Sequence, residues 1–229
     1  MGTDTEILGR SKHFVKTSWV LVRSAGQGGD WDPLVRLYWK PLYFYLRRKG
    51  LDNEAAKDAV QEFITTLIER RAIEKADPAR GRFRTCLRAA LDHFLTDRKR
   101  RENRQKRGGG AQVLSLDFAR GERDYGVEVE GGESPEKLAC RAWAHELLDQ
   151  CLLELDGDPL HIAALRLRLK GADYRQICDH TRLGDAAAHL AVHRLSRVFG
   201  EILGRRLRGL CGDDGDFEAE LSEFMDLIA

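Results

Sequence analysis

Residues 80–107 read RGRFRTCLRAALDHFLTDRKRRENRQKR. Phe83, Leu87, Leu91, Phe94 and Leu95 recur at helical spacing and form one apolar stripe that must face a core. The remaining positions are mostly Arg and Lys, opposed only by Asp92, Asp97 and Glu102. Like charges three or four residues apart, as in Arg84/Arg88 and Arg100/Arg104, repel by roughly a few tenths of a kcal/mol each. A face that is merely solvated would mix signs. Uniform sign at this density points to a polyanion as partner, and nucleic acid is the one it fits.

Upstream of this stretch, residues 1–16 carry no pattern and are expected to be disordered. Thr17 can cap a short helix, SWVLVRSAG, which ends in the turn-rich GQGGD. Asp32-Pro33 opens a second helix, with Asp at the cap and Pro in the first turn. It continues as LVRLYWKPLYFYLRRKG, is expected to kink at Pro41, and stops at Gly50. Tyr38, Trp39, Tyr43, Phe44 and Tyr45 could stack on bases, but such aromatics are more often core. The next helix starts from a cap at Asp52 or Asn53 and runs to about Arg71. Ala56, Val60, Phe63, Ile64, Leu67 and Ile68 form its buried stripe. Asp58, Gln61, Glu62, Thr65 and Glu69 fall on the other face, which suits either a basic partner helix or plain solvation. AIEKADPARG then separates this helix from the basic one.

Downstream, GGGAQVLSLDFARGERDYGVEVEGGE is glycine-rich and acidic without helical period, so residues 108–133 read as a flexible linker. Ser134-Pro135-Glu136 starts a helix that turns Leu147, Leu148, Cys151, Leu152 and Leu155 inward, and GDP at residues 157–159 breaks it. A further helix covers residues 160–170 and stops at Gly171. Asp173 caps YRQICDHT, the turn RLG follows, and Asp185 caps AAAHLAVHRLSRVFGEIL. Ala188, Val192, Leu195, Phe199 and Leu203 are the core stripe of that last helix. A short helix, a tight turn with Gly and a longer helix make a helix-turn-helix arrangement. His189, His193, Arg194 and Arg197 lie on the outer face. The two histidines lack the Glu and third ligand of a zinc motif, which leaves DNA contact as their role and no metal. Residues 211–229 form an acidic amphipathic tail with Phe217, Leu221, Phe224, Met225 and Ile228 at helical spacing. It is expected to pack on the second domain, or alternatively to shield a basic DNA-binding face.

The 229 residues suffice for one large or two small domains, and every element above is helical, so the fold class is all-α. Lys and Arg number 38 against 37 Asp and Glu, a formal charge of +1, yet the charge is segregated along the chain. Acidic segments would cancel much of the attraction to phosphates, so the protein is expected to read DNA with the help of a partner. Five cysteines (Cys86, Cys140, Cys151, Cys178, Cys211) without a CxxC pair or secretion signal argue for reduced thiols in the cytoplasm. No apolar run long enough to span a membrane is present. Walker loop, GxSxG, HExxH and a convincing carboxylate pair are all missing, so no catalytic residue, cofactor or enzymatic activity is expected.

In order, WDPLVRLYWKPLYFYLRRKG, DNEAAKDAVQEFITTLIER, RGRFRTCLRAALDHFLTDRKRR and the late AVHRL helix-turn-helix resemble a sigma factor of the extracytoplasmic-function (ECF) group, within the sigma-70 family. The similarity runs from Trp19 onward. It implies two small helical domains, a region 2 bundle over residues 17–107 and a region 4 helix-turn-helix over residues 134–210, joined by the linker. It implies a transcription initiation factor, nucleoid-associated in the holoenzyme, with core RNA polymerase and promoter DNA as partners. Asp58, Gln61, Glu62 and Phe63 resemble the surface that grips the clamp helices of the polymerase's largest subunit. Arg84, Arg88, His93, Asp97, Lys99, Arg100 and Arg101 resemble the part that binds and melts the minus-ten element, with the arginines on the backbone and His93 and Asp97 on a base turned out of the stack. Asp185, His189, His193, Arg194 and Arg197 resemble the reader of the minus-thirty-five element. Leu190 and Ala191 stand where the common pattern TVKSRLxRAR has Ser and Arg, which leaves fewer polar groups to reach base edges. Upstream recognition is therefore expected to rely also on DNA shape. An anti-sigma factor, or the acidic tail acting within the chain, would hold such a protein inactive. The alternative from another class is a stand-alone helix-turn-helix regulator that binds duplex DNA without polymerase.

Overall fold

The computed structural model describes residues 22, 25, 27–70, 72–75, 83–102, 116–128, 133–211 and 217–228, all of whose regular elements are helical. These elements are α1 (Asp32–Arg48), α2 (Asn53–Glu69), a 3-10 turn (Ala72–Lys75), α3 (Phe83–Glu102), α4 (Phe118–Glu128), α5 (Pro135–Leu153), α6 (Pro159–Leu169), α7 (Tyr174–Thr181), α8 (Asp185–Cys211) and α9 (Phe217–Ile228). The expected disordered start, most of the helix capped by Thr17 and the linker's first residues lie outside the described residues; Val22 and Ala25 are helical and buried. The chain divides into two compact units, with Leu147–Arg208 in one and the described residues 22–146 and 217–228 in the other. The division thus falls at Leu147, within α5, rather than at residue 134.

In the larger unit, α1 is buried along most of its length, including all five aromatics from Tyr38 to Tyr45, which settles them as core. Pro41 is buried and α1 runs through it as one helical element. Asp52 caps α2, its carboxylate accepting a hydrogen bond from the Ala55 N–H at 2.8 Å. Gly50, at φ +97°, supplies the left-handed residue that ends α1. α2 packs against both α1 and α3. Phe83 meets Tyr38 edge-on at 5.2 Å, and Phe94 meets Phe63 at 5.5 Å.

The stretch expected to be an irregular linker contains α4, which packs on α1. Asp117 accepts a hydrogen bond from the Arg120 N–H at 2.9 Å, as a helix cap does. Phe118 meets Trp39 and Tyr43 edge-on, and Tyr125 meets Phe44 at 5.3 Å. Gly121 is what lets Trp39 in: a Cβ there would lie 3.0 Å from its ring. Charge completes the docking. Glu122 accepts from the Tyr43 hydroxyl and from Arg47 at 2.8 Å, and Lys40, buried in the core, reaches Asp124 at 2.7 Å and Glu146 at 3.8 Å.

In the smaller unit, α6 packs on α7, and α7 begins with a capping box between Asp173 and Gln176. The left-handed residue of the turn into α8 is Arg182, at φ 61°, not Gly184. Ala188, Val192, Leu195, Phe199 and Leu203 are all buried, as their spacing requires. The tail helix α9 belongs to the larger unit rather than to this one, which corrects the expectation that it packs on the second domain.

Candidate nucleic-acid interface

α3 turns Phe83, Leu87, Leu91 and Phe94 into the core, while Leu95 is half-buried. That orientation leaves His93, Asp97, Lys99, Arg100 and Arg101 exposed along its second half. Asp97 and Arg100 stand 3.7 Å apart and are both about two-thirds exposed, a contact too solvated to hold either in place. Asp92 plays a structural part instead. Its carboxylate accepts from the Tyr45 hydroxyl at 2.9 Å and from Lys49 at 2.7 Å, which fastens α3 to α1.

The basic residues therefore separate into two groups. At the C-terminal end Lys99, Arg100 and Arg101 are exposed while Arg98 is half-buried beside Glu62; at the N-terminal end Arg84 is nearly buried. Arg84 is only 11% exposed, and it donates to Glu220 and, at 2.9 Å, to Glu223 of α9. Its guanidinium also lies 4.4 Å above the Trp143 ring, and Trp143 in turn meets Phe224 edge-on. Burial disfavours its charge, yet the hydrogen bonds and charges of Glu220 and Glu223 outweigh this and raise its pKa above the usual arginine value. Arg84 is thus removed from the set open to a phosphate backbone, because the chain supplies its own carboxylates there. Arg88 is half-buried and lines a recess with Glu136, Cys140 and Trp143. Burial pushes the Cys140 thiol above its ordinary value.

On α2, Asp58 is exposed and Gln61 and Glu62 are half-buried. Phe63 is 2% exposed and packs on Phe94, so it supports this face from beneath and cannot touch a partner. Thr65, also assigned to the outer face, is buried. Glu62 lies 3.5 Å from Arg98 and 3.4 Å from Arg101, so the acidic face of α2 docks in part against the protein's own basic helix. The guanidinium of Arg101 rests 5.8 Å from the Phe94 ring centroid.

On α8, Asp185, His189, His193, Arg194 and Arg197 are all exposed. The His189 ring stacks on Tyr174 with centroids 3.5 Å apart and planes 12° from parallel, and its Nδ1 is 3.0 Å from the Asp185 carbonyl oxygen. Arg197 contacts Glu201 at 3.0 Å in a solvent-exposed pair of little energetic weight. Ala191 is buried, so it does not occupy a base-reading position, whereas Leu190 is 68% exposed. The partners of Arg84 were missed from sequence, although Glu220 and Glu223 at i, i+3 on an amphipathic helix are a usable signal.

Among the described residues no cluster of three His, Cys, Asp or Glu side chains is placed to hold a metal ion. Nor is any helix among them long and apolar enough to cross a membrane. A family model described as ECF sigma factor matches residues 30–166, well over half of the chain. No curated protein and no solved structure matches it.

Proposed function

The chain belongs to the ECF sigma factor family, and from that premise we propose that it binds core RNA polymerase and directs promoter recognition and opening, without catalysing a reaction itself. The observation that carries the proposal is the exposed basic end of α3, with His93, Lys99, Arg100 and Arg101 facing solvent on a helix that buries Phe83, Leu87, Leu91 and Phe94. Lys99, Arg100 and Arg101 can neutralise phosphates, and opened strands supply unstacked bases for His93 and Asp97. Asp58, with the flanking half-buried Gln61 and Glu62, forms the polymerase-facing surface. α8 reads upstream duplex through His193, Arg194 and Arg197, with the His189 ring held flat by Tyr174. The acidic tail regulates this machinery from within by holding Arg84 on Glu220 and Glu223.

Co-purification with core polymerase, followed by run-off transcription from genomic fragments, tests the proposal. Polymerase-dependent transcripts with discrete start sites are expected. Sequence-specific duplex binding without polymerase, together with failure to co-purify, would replace it with the stand-alone regulator.

A further inference from the structure

The outer face of α8 is polar and basic from His193 onward, yet its first two turns present Ala186, Ala187 and Leu190 to solvent. Leu190 is the most conspicuous of these, at 68% exposed on a helix whose other large apolar residues, from Val192 to Leu207, are mostly buried. Ala186, Leu190, Arg194 and Arg197 follow one another at helical spacing along a single stripe. In a helix-turn-helix the N-terminal residues of the second helix reach base edges, while flanking cations hold the backbone. A leucine there cannot donate or accept a hydrogen bond. The one feature of the major groove it can recognise is apolar, the 5-methyl group of thymine.

We propose that Leu190 is a specificity-determining residue that reads a thymine methyl in the upstream promoter element. This rests on the assignment of α8 as the duplex-reading helix. Ala186 and Ala187 are small enough to let that part of the helix approach the groove closely, and Arg194 and Arg197 lie one and two turns further along to meet phosphates. His189, tied to Tyr174 by stacking and to the Asp185 carbonyl oxygen, limits how the adjacent turn sits. Upstream recognition in this protein is then carried by methyl contact where hydrogen-bonding side chains are few.

The test uses the full chain assembled with core polymerase and a duplex library randomised over the upstream window, with bound DNA sequenced after selection. Enrichment of thymine at one or more positions is expected. Each enriched thymine is then replaced by deoxyuridine, which removes only the methyl group. Wild type should weaken by about fourfold at the position Leu190 touches, the worth of one buried methyl. Leu190→Ala should lose both the enrichment and the response to uracil; because Leu190 is exposed, this variant keeps its core. Unchanged wild-type binding to uracil DNA, or an unaltered selected motif with Leu190→Ala, overturns the proposal. A double reversal, Arg194→Glu with Arg197→Glu, separates the two levels. If upstream selection survives it, α8 is not the reader and both ideas fall. If selection collapses while Leu190→Ala selects as wild type does, only the methyl contact is refuted.

Discussion

Replacing Glu220 by Gln keeps the size of the side chain and its ability to accept a hydrogen bond, and removes only its charge. Arg84 would then remain 11% exposed, with Glu223, itself 35% exposed, as its charged partner and the Trp143 ring beneath it. Removing one member of a buried ion pair costs about 3–5 kcal/mol because the other charge is left without compensation. Glu223 and the ring recover part of that, the ring alone contributing about 1 kcal/mol. The expected loss is therefore about 2 kcal/mol, a large share of the roughly 5–15 kcal/mol that holds a domain together. Urea unfolding followed by tryptophan fluorescence should show the midpoint falling with little change in slope. The double variant Arg84→Met, Glu220→Leu removes both charges and should lie within about 1 kcal/mol of wild type, since apolar replacement of a buried pair is often neutral. A wild-type midpoint for Glu220→Gln, or a double variant worse than the single, would refute the assignment of this contact as a buried charge pair. The regulatory role has its own test. Deletion of the residues after Cys211 should strengthen promoter binding by the holoenzyme, and unchanged or weaker binding would end the masking idea.

Four further outcomes follow from the same geometry. Asp58→Arg should abolish co-purification with core polymerase at unchanged thermal stability, because Asp58 is exposed; Glu62→Arg should also destabilise, since it sets a cation against Arg98 and Arg101. Gly121→Leu should undock α4, because even a Cβ there would lie 3.0 Å from the Trp39 ring, and a shift in tryptophan emission with a loss of about 1–3 kcal/mol should report it. Arg182→Gly should stabilise the smaller unit by about 0.5–1 kcal/mol in urea titration, because a left-handed residue costs an L side chain more than glycine. Alkaline pH should destabilise the fold. Burial pushes the Cys151 thiol up to about 12 and raises Tyr38 and Tyr43 above their ordinary values. Above about pH 9 the unfolded chain gives up protons that the folded one keeps, so stability falls as pH rises and is fully present below that range. A urea midpoint equal at pH 7.5 and pH 10.5 would contradict it.

The core of each unit was legible because periodicity reports which face a helix buries. Phe83, Leu87, Leu91 and Phe94 on α3, and Ala188 to Leu203 on α8, lie where their spacing put them. α4 was illegible for a physical reason. Its two glycines lower helix propensity, and the compensation lies in the approach of Trp39 to Gly121 and in Glu122 and Asp124 meeting Arg47 and Lys40, all distant in sequence. Phe63 was assigned to a partner surface by resemblance although its place in the α2 stripe already marked it as core.

Arg84 carries the wider lesson. A run of like charge fixes the sign of what must come to meet it, but not whether that anion is another molecule or a later part of the same chain. Burial decides between the two. A cation almost withdrawn from water requires fixed carboxylates, as Arg84 has in Glu220 and Glu223, because a free charge there would cost several kcal/mol. A cation in water has no such requirement, and Lys99 and Arg100 are exposed. The same helix thus binds its own tail at one end and faces solvent with mainly basic side chains at the other.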